Sequence, residues 1–278
     1  MNSTTPRPSE PLSATPTSQT PTPQTPTPQT QPAVTPLLEV RNLSRHFGAV
    51  RALDNCSLCV HPGEVVALAG DNGAGKTTMI KVISGVYPPT SGEILINGKP
   101  MHFSSPQDAR DKGMETIYQD LALADNLTIG GNIFLGREPM RKAFGFLPVI
   151  DRKAMAEAAR KTMATLDFHV KRLDAPVSNF SGGQRQADAI GRAVYWNAKI
   201  LIMDEPTAAL GVPEQRKVVA LIKSLKAQGR GVLFISHNLQ DIFAVSDRIV
   251  VLRRGIVAGQ RNINDTNHDE VVKLMIGG

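Results

Sequence analysis

The most informative segment of this 278-residue chain is Gly70-Asp-Asn-Gly-Ala-Gly-Lys-Thr77. It fits the pattern GxxxxGK[ST], which forms a phosphate-binding loop when it joins a strand to a helix. The apolar run Glu64–Ala69 before it predicts a buried strand, and Lys76–Ser84 after it has helical apolar spacing that ends at Gly85. The sequence around the motif therefore supplies the context that the loop requires.

Each residue type in this loop has a chemical reason. The glycines let backbone N–H groups turn inward toward phosphate oxygens, and the lysine adds a cation at the β- and γ-phosphates. The threonine offers a hydroxyl to Mg²⁺. A dinucleotide fold is disfavoured because Thr78 stands where a third glycine would be needed, and no NKxD motif supports a GTPase. The predicted nucleotide-binding residues of the loop are Gly70, Asn72, Gly73, Ala74, Gly75, Lys76, Thr77 and Thr78.

Outside the loop, the pattern predicts an α/β protein. The apolar runs Lys199–Met203 and Gly231–Ile235 read as strands, and helical patterns separate them, which favours a mainly parallel core sheet. Strands are also expected at Leu38–Arg41 and Ala52–Val60, and a helix capped by Asp151 is expected over 151–166. Asn97-Gly98 predicts a hairpin and Ser105-Pro106 a short helix.

Polar residues follow the predicted core strands. Asp204 and Glu205 end one strand, so Asp204 is a candidate Mg²⁺ ligand and Glu205 a candidate general base for water. His237 ends another strand and is a candidate contact for the γ-phosphate or the attacking water; a structural histidine is the alternative. Gln119 follows a third strand and is a candidate sensor of the γ-phosphate through water or Mg²⁺.

The motif Ser181-Gly182-Gly183-Gln184 precedes a helical pattern. Read locally, it is a capping box, S-x-x-Q. Read functionally, a positive helix N-terminus with two glycines meets a phosphate, which would belong to a second subunit because this chain already has its own phosphate loop. Both interpretations remain open.

Composition limits the class of protein. The formal net charge is +6, which suits ATP, nucleic acid or an anionic membrane surface without deciding between them. Ten of the 20 prolines fall in residues 1–36, which predicts a disordered Pro/Thr/Gln-rich tail with polyproline II character. Cys56 and Cys59 are spaced CxxC on a predicted strand, where their side chains point to opposite faces, so we expect two buried, reduced thiols. We expect a soluble chain facing the cytoplasm, since no signal peptide or membrane-spanning run is visible.

Taken together, these motifs resemble the ATP-binding cassette (ABC) ATPases, from about residue 37 to residue 278. The resemblance implies an ABC nucleotide-binding domain with a mainly parallel core sheet, a small antiparallel β-subdomain and a helical subdomain at about 120–180. It also implies ATP and Mg²⁺ as cofactors, with Thr77, Gln119 and Asp204 at the metal, and it assigns Phe47 to stacking on adenine. A core phenylalanine is the alternative for Phe47.

The resemblance further implies a nucleotide-sandwich dimer, either a homodimer or a pair with a second cassette, in which Ser181, Gly182, Gly183 and Gln184 close over the partner's ATP. Membrane-spanning permease subunits would dock on the helical subdomain, with a periplasmic solute-binding protein as an indirect partner. Nucleic acid is not expected as a partner. The resemblance implies a peripheral protein at the cytoplasmic face of the inner membrane.

A narrower likeness points to the ATPases of bacterial monosaccharide importers, most of all single-cassette, fructose-type members. It is carried by segments such as Asn132–Glu138 and Glu205–Leu210. One departure is Gly211, where most cassettes have an Asp, and this puts coupling between the two sites in doubt. An importer for another solute such as nucleosides is the first alternative. A soluble cassette acting on DNA or ribosomes is the second, although the interval from Lys76 to Ser181 leaves no room for a long coiled coil.

Overall fold

The computed structural model describes residues 1–2, 34–166, 172–208 and 210–277. Contacts divide the chain into two units, Met1–Ala33 and Val34–Gly278, and the fold below is that of the second. Most of the predicted tail, residues 3–33, lies outside the described residues, so its disorder stays a prediction.

The described strands form a six-stranded core sheet, a four-stranded antiparallel sheet and an isolated hairpin. The strands are β1 (Leu38–Phe47), β2 (Val50–Val60), β3 (Val65–Ala69), β4 (Ser91–Ile96), β5 (Lys99–Met101), β6 (Met114–Ile117), β7 (Met140–Ala143), β8 (Leu147–Ile150), β9 (Ile200–Asp204), β10 (Gly231–Ile235), β11 (Arg248–Arg253) and β12 (Ile256–Asn262). The helices are α1 (Lys76–Ile83), α2 (Pro106–Asp111), α3 (Ile129–Ile133), α4 (Arg152–Thr165), α5 (Gly182–Tyr195), α6 (Val212–Ala227), α7 (Leu239–Val245) and α8 (His268–Ile276), with short 3-10 turns at Val177–Asn179 and Ile263–Asp265.

The core sheet has the order β12-β11-β3-β10-β9-β6 and is parallel except for β12. Strands β3 and β10 are buried along their whole length because helices cover one face of the sheet while α1 and the antiparallel sheet cover the other, which explains their continuous apolar sequences. The register aligns Ile235 with Asp204 on one side and with Leu68 on the other. The phosphate loop and the segments that follow β10, β9 and β6 therefore leave the sheet at one edge, which confirms the predicted mainly parallel core.

The antiparallel sheet has the order β2-β1-β4-β5. The prediction that the first strand ends at Arg41 was wrong, because the strand continues to Phe47. It does so across a register shift at Asn42, which adopts a positive φ of 48° and lets the ladder resume. The expected hairpin at Asn97-Gly98 is confirmed between β4 and β5, with both residues at positive φ.

Between β6 and α5 lie α3, the β7–β8 hairpin and α4. Asp151 caps α4 as predicted, since its Oδ1 accepts a hydrogen bond from the Ala154 N–H at 3.0 Å. Helices α3, α4 and α5 pack on one another through buried side chains that include Ile133, Met163 and Ile190. The hairpin inside this segment was not predicted, and the bounds of the helical subdomain remain a prediction.

The two cysteines lie on β2 and both are free, as expected, but the prediction that both are buried was wrong for Cys59, which is half-buried. Cys56 is buried and its Sγ–H donates to the Gly255 carbonyl at 3.1 Å, while the Sγ of Cys59 lies 3.7 Å from Nε2 of His61.

Candidate nucleotide and catalytic site

The phosphate loop joins β3 to the N-terminus of α1, as predicted. The N-cap of α1 is Gly75, which has no side chain to bond the first N–H groups of the helix. These groups are orphan donors at the positive end of a helix dipole, and an anion satisfies them. The loop therefore presents an uncapped helix N-terminus at the edge of the sheet.

Two glycines of the loop are required by close backbone approach. A Cβ on Gly70 would lie 2.4 Å from the Leu252 carbonyl oxygen, and one on Gly75 would lie 2.8 Å from that of Ala52. Gly73 differs because its Cβ would meet open space, so only its φ of 78° favours glycine there. The backbone of neighbouring strands thus contacts the loop at Gly70 and Gly75, while the side of the loop at Gly73 is open to a phosphate chain.

Lys76 lies across the mouth of this loop. Its Nζ donates to the carbonyl oxygens of Gly70 at 2.7 Å and Asp71 at 3.1 Å. The ammonium group is thus fixed within the loop, close to the free N–H groups of α1. This donor set fits the triphosphate of a nucleotide, which requires backbone N–H groups and a cation at one place.

Glu205 follows β9 and has a strained backbone, with a φ of 50°. Its N–H donates to the Ile235 carbonyl at 2.9 Å, which ties it to the end of β10. Its Oε1 lies 2.8 Å from Nδ1 of His237, and the Ser236 hydroxyl is 3.5 Å from Oε2. The Glu205 side chain is only 12% exposed while that of His237 is 70% exposed. The pair thus joins a shielded carboxylate to an accessible imidazole, and strain of this kind persists where the surroundings enforce it.

Asp204 lies at the end of β9, half-buried beside Glu205. Burial and then the neighbouring Glu205 carboxylate raise the pKa of Asp204, and the ammonium groups of Lys76 and Lys81 oppose that rise. The strand register places Asp204 and Leu68 on either side of Ile235, so Asp204 lies at the end of the sheet from which the phosphate loop leaves. A partly desolvated carboxylate beside a second carboxylate fits a cation that would neutralise both, so the predicted Mg²⁺ ligands Asp204 and Thr77 have suitable chemistry.

Gln119 is exposed and follows β6, two residues beyond the last strand residue Ile117. Because β6 pairs with β9, Gln119 leaves the sheet at the same edge as Asp204. The structure thus brings together at one edge the phosphate loop, Asp204, Glu205, His237 and Gln119, and these assignments stand as proposals for their roles.

Sequence reasoning missed Asp241, which is buried in the first turn of α7. Its Oδ2 accepts hydrogen bonds from the Thr207 hydroxyl at 2.7 Å and from the Asn238 side chain at 3.2 Å. Asp241 thereby ties the segment after Glu205 to the segment after His237. The available signal was Asn238 as an N-cap with an acid three residues later.

Phe47 is 40% exposed at the end of β1, so the alternative of a core phenylalanine was wrong. Its ring meets Tyr87 edge-to-face with centroids 5.4 Å apart, and the Arg45 guanidinium carbon lies 4.6 Å from its centroid. These contacts hold an aromatic ring at the surface, and its stacking on adenine stays a prediction.

Ser181 to Gln184 form the N-terminus of α5. Here the capping interpretation is confirmed, because the Ser181 Oγ accepts from the Gln184 N–H at 3.4 Å and the Ser181 N–H donates to the Gln184 Oε1 at 3.1 Å. The Ser181 hydroxyl keeps its own proton for another acceptor. Gly182 and Gly183 lie against Leu210 and Glu214, where a Cβ would approach within 2.9 Å of each side chain. The phosphate-binding role of this motif stays a prediction.

Comparison with known proteins places this geometry in a family. The ABC transporter family profile matches residues 53–208. The xylose/arabinose import ATP-binding protein XylG of Sulfolobus acidocaldarius is 48% identical, with 87% of this chain and 94% of that protein covered. The fructose import ATP-binding protein FrcA of Rhizobium meliloti is 43% identical over 88% of this chain and 95% of its own length. The ribose import ATP-binding protein RbsA 2 of Rhizobium johnstonii is 42% identical, and this chain spans only 46% of it.

Solved structures show the same architecture. A nucleotide-free ATP-binding cassette from an ABC transporter superposes with a TM-score of 0.73 at 25% identity, covering 87% of this chain and 96% of that one. The ADP conformation of the cassette MJ1267 gives the same TM-score and identity, and covers 99% of that chain. Across the described residues, no helix combines the length and the hydropathy needed to cross a membrane. The chain belongs to the ABC transporter family and is an ATP-binding cassette of it, an ATPase.

Proposed function

We propose that this cassette is the ATP-hydrolysing, energy-coupling subunit of a monosaccharide importer. The observation that carries the hydrolytic part is the 2.8 Å contact between Glu205 Oε1 and His237 Nδ1 at the edge that also holds the phosphate loop. The relatives named for import of xylose/arabinose, fructose and ribose support the sugar as cargo.

In this proposal, Glu205 polarises the attacking water as general base, and His237 holds the Glu205 carboxylate in place while it contacts the γ-phosphate. Lys76 and the N–H groups of α1 bind the phosphates, and Phe47 stacks on the adenine. Thr77, Asp204 and Gln119 would hold Mg²⁺, which when bound neutralises charge on the β- and γ-phosphates.

The proposal requires two cassettes. The Ser181 hydroxyl proton and the positive end of α5 would face the ATP of a second cassette, together with Gly182, Gly183 and Gln184. Closure of that dimer by ATP would move membrane-spanning permease subunits at the cytoplasmic face of the membrane, and hydrolysis would reset it. A periplasmic binding protein would deliver the sugar.

The test is co-purification of tagged Glu205→Gln from its native host in detergent with ATP present. Loss of the base should preserve the closed ATP state, so the variant should retain a polytopic membrane protein better than wild type does. Glu93→Gln, on the exposed end of β4, is the matched control that should behave as wild type. Uptake of labelled xylose, arabinose, ribose and fructose by cells lacking the gene then identifies the cargo. Recovery of ribosomal or DNA-bound proteins with no membrane subunit would refute the transport function.

A further inference from the structure

The β7–β8 hairpin is a two-stranded sheet of its own, and it stands out from the rest of the described surface. Its four cross-strand pairs run from Met140–Ile150 to Ala143–Leu147, and it pairs with neither of the other two sheets. Met140, Leu147 and Ile150 are all exposed. An isolated hairpin is marginally stable in water, so a further surface that covers it would add to its stability.

The tip of this hairpin is aromatic and strained. Phe144 is 90% exposed and Phe146 is 80% exposed, on either side of Gly145. Phe144 has a φ of 52°, a left-handed conformation that is unusual for a bulky side chain. Neither ring contributes to the described core, so packing within the chain gives no reason for two phenylalanines at this apex.

The only charged residues within the hairpin are basic. Residues 139–150 contain Arg141 and Lys142 and no acidic residue, while Asp151 comes next and is followed by Arg152 and Lys153. The two flanking acids are engaged locally, since Glu138 accepts from the Gly136 N–H at 3.1 Å and Asp151 caps α4. The hairpin therefore has an apolar tip, with Phe144 and Phe146, next to the basic residues Arg141 and Lys142.

The arrangement of side chains favours a lipid surface over a protein groove. In the ladder Lys142 shares a face with Met140 and Ile150, while Arg141 shares the opposite face with Val149. Basic and apolar residues thus surround the ribbon instead of separating onto two faces. Pro148 on β8 opposes addition of another strand at that edge. Lys and Arg side chains beside apolar residues extend their charged ends toward the polar phase, and binding to a lipid surface increases with buried apolar area and with attraction to anionic lipids.

We propose that the β7–β8 hairpin inserts Phe144 and Phe146 into the headgroup region of an anionic lipid membrane, with Arg141 and Lys142 at the lipid phosphates. The physiological meaning of this contact rests on the proposed transport function, which requires a cassette held at a membrane. The contact itself needs neither ATP nor a permease, so it is tested separately.

The experiment is co-flotation of the full chain with vesicles of phosphatidylcholine alone or with 30% phosphatidylglycerol. Wild type should float with the anionic vesicles and not with the neutral ones. Phe144→Ser with Phe146→Ser should lower the bound fraction by about tenfold or more, since each removes an inserted apolar ring. Arg141→Gln with Lys142→Gln should weaken binding by up to about 30-fold at low salt, from roughly 1 kcal/mol per basic residue.

Two control pairs match these changes. Ile256→Ser with Ile276→Ser removes exposed apolar residues elsewhere, and Lys99→Gln with Lys223→Gln removes two exposed charges from β5 and α6. All variants should keep the wild-type melting temperature and basal ATPase rate, because the hairpin lies outside the nucleotide site. Glu205→Gln should float as wild type does, which separates this test from that of the transport function.

Equal flotation with neutral vesicles, or unchanged flotation of the phenylalanine variants, would overturn the proposal. It would also fail if wild type does not float while the phenylalanine variants lose a co-purified membrane protein in detergent, because the hairpin would then be a protein contact.

Discussion

Helices α1 and α5 both begin with a glycine-containing motif that suits a phosphate, yet their N-termini differ in how their N–H groups are satisfied. At α1 the N-cap is Gly75, no side chain caps the helix, and Lys76 lies over the loop. At α5 the Ser181 and Gln184 side chains cap the helix reciprocally. The first terminus is complete only with an anion, whereas the second is complete in the free chain.

This difference matches the two roles that we propose, a phosphate site within one chain at α1 and a contact with the ATP of a second cassette at α5. The α1 terminus lies at the sheet edge that also holds Asp204, Glu205 and His237, the residues proposed to act in hydrolysis. The α5 terminus contacts Leu210 and Glu214, its Arg185 donates to Asp125 at 2.6 Å, and Lys217 lines the same cavity as Ser181. Helix α6 also begins at a glycine, Gly211, without a side-chain cap, so the missing cap at α1 points to a phosphate only together with Lys76 and the acidic residues beside it, whereas the role of the capped α5 terminus requires a functional test.

The largest effect is expected from the chemistry beside α1. Glu205→Gln should lower ATP turnover by about 10²–10⁴-fold while ATP binding persists, the scale for loss of a general base. The measurement is steady-state phosphate release together with equilibrium nucleotide binding, with Glu93→Gln as control. Near-normal turnover would remove Glu205 from the role of base.

The second prediction concerns the glycines of the phosphate loop. Gly75→Ala places a Cβ 2.8 Å from a backbone carbonyl at a φ of 108°, so ATP affinity should fall by about 100-fold or the loop should rearrange. Gly73→Ala meets open space and bears only the cost of positive φ, about 1 kcal/mol, so its loss should stay within about tenfold. Titration of both variants with a fluorescent ATP analogue distinguishes them, and equal losses would show that close packing does not shape the loop.

A third prediction concerns α5, which carries a buried acid one turn after its capping box. Asp188 is fully buried, and among the described residues neither of its carboxylate oxygens has a hydrogen-bond partner. Burial raises its pKa to about 8, although Arg192 opposes the rise. Arg192 is in turn paired with Glu115 of β6 at 3.0 Å.

The sign of the pH effect follows from this raised pKa. The unfolded pKa is about 3.9, so between pH 4 and 8 the folded state holds a proton that the unfolded state has lost. Stability contributed at this site falls as pH rises through that window and is constant above pH 8. Asp188→Asn should therefore gain about 2–3 kcal/mol relative to wild type between pH 5.5 and 7.5. Urea unfolding at both pH values measures this, and a pH-independent difference would contradict a protonated Asp188.

The sequence predicted the parts of the fold in which local pattern and burial agree. Strands β3, β9 and β10 are apolar runs that end in Gly70, Asp204 and Ser236, and parallel pairing then brings those ends together. The β7–β8 hairpin was missed because both its faces are exposed, so it has no hydrophobic alternation. The burial of Asp188 and the positive φ of Glu205 were not visible because tertiary packing, not local sequence, imposes both.

The smallest expected effect is on stability, from substitutions of Ser181 at the N-terminus of α5. Ser181→Ala removes one cap, so stability should fall by about 1 kcal/mol. Thr128→Ala removes the comparable cap of α3, where the Thr128 Oγ1 accepts from Gly131 N–H at 3.0 Å, and serves as the matched control. Ser181→Asp keeps a good N-cap but adds a negative charge. If this variant has wild-type stability but has lost ATPase activity, the partner of Ser181 is a phosphate bound by a second cassette. Sedimentation of Ser181→Asp in the Glu205→Gln background should then show no ATP-dependent dimer. Full activity of Ser181→Asp would instead leave capping as the whole role of the motif, because a phosphate would not accept a carboxylate at that position.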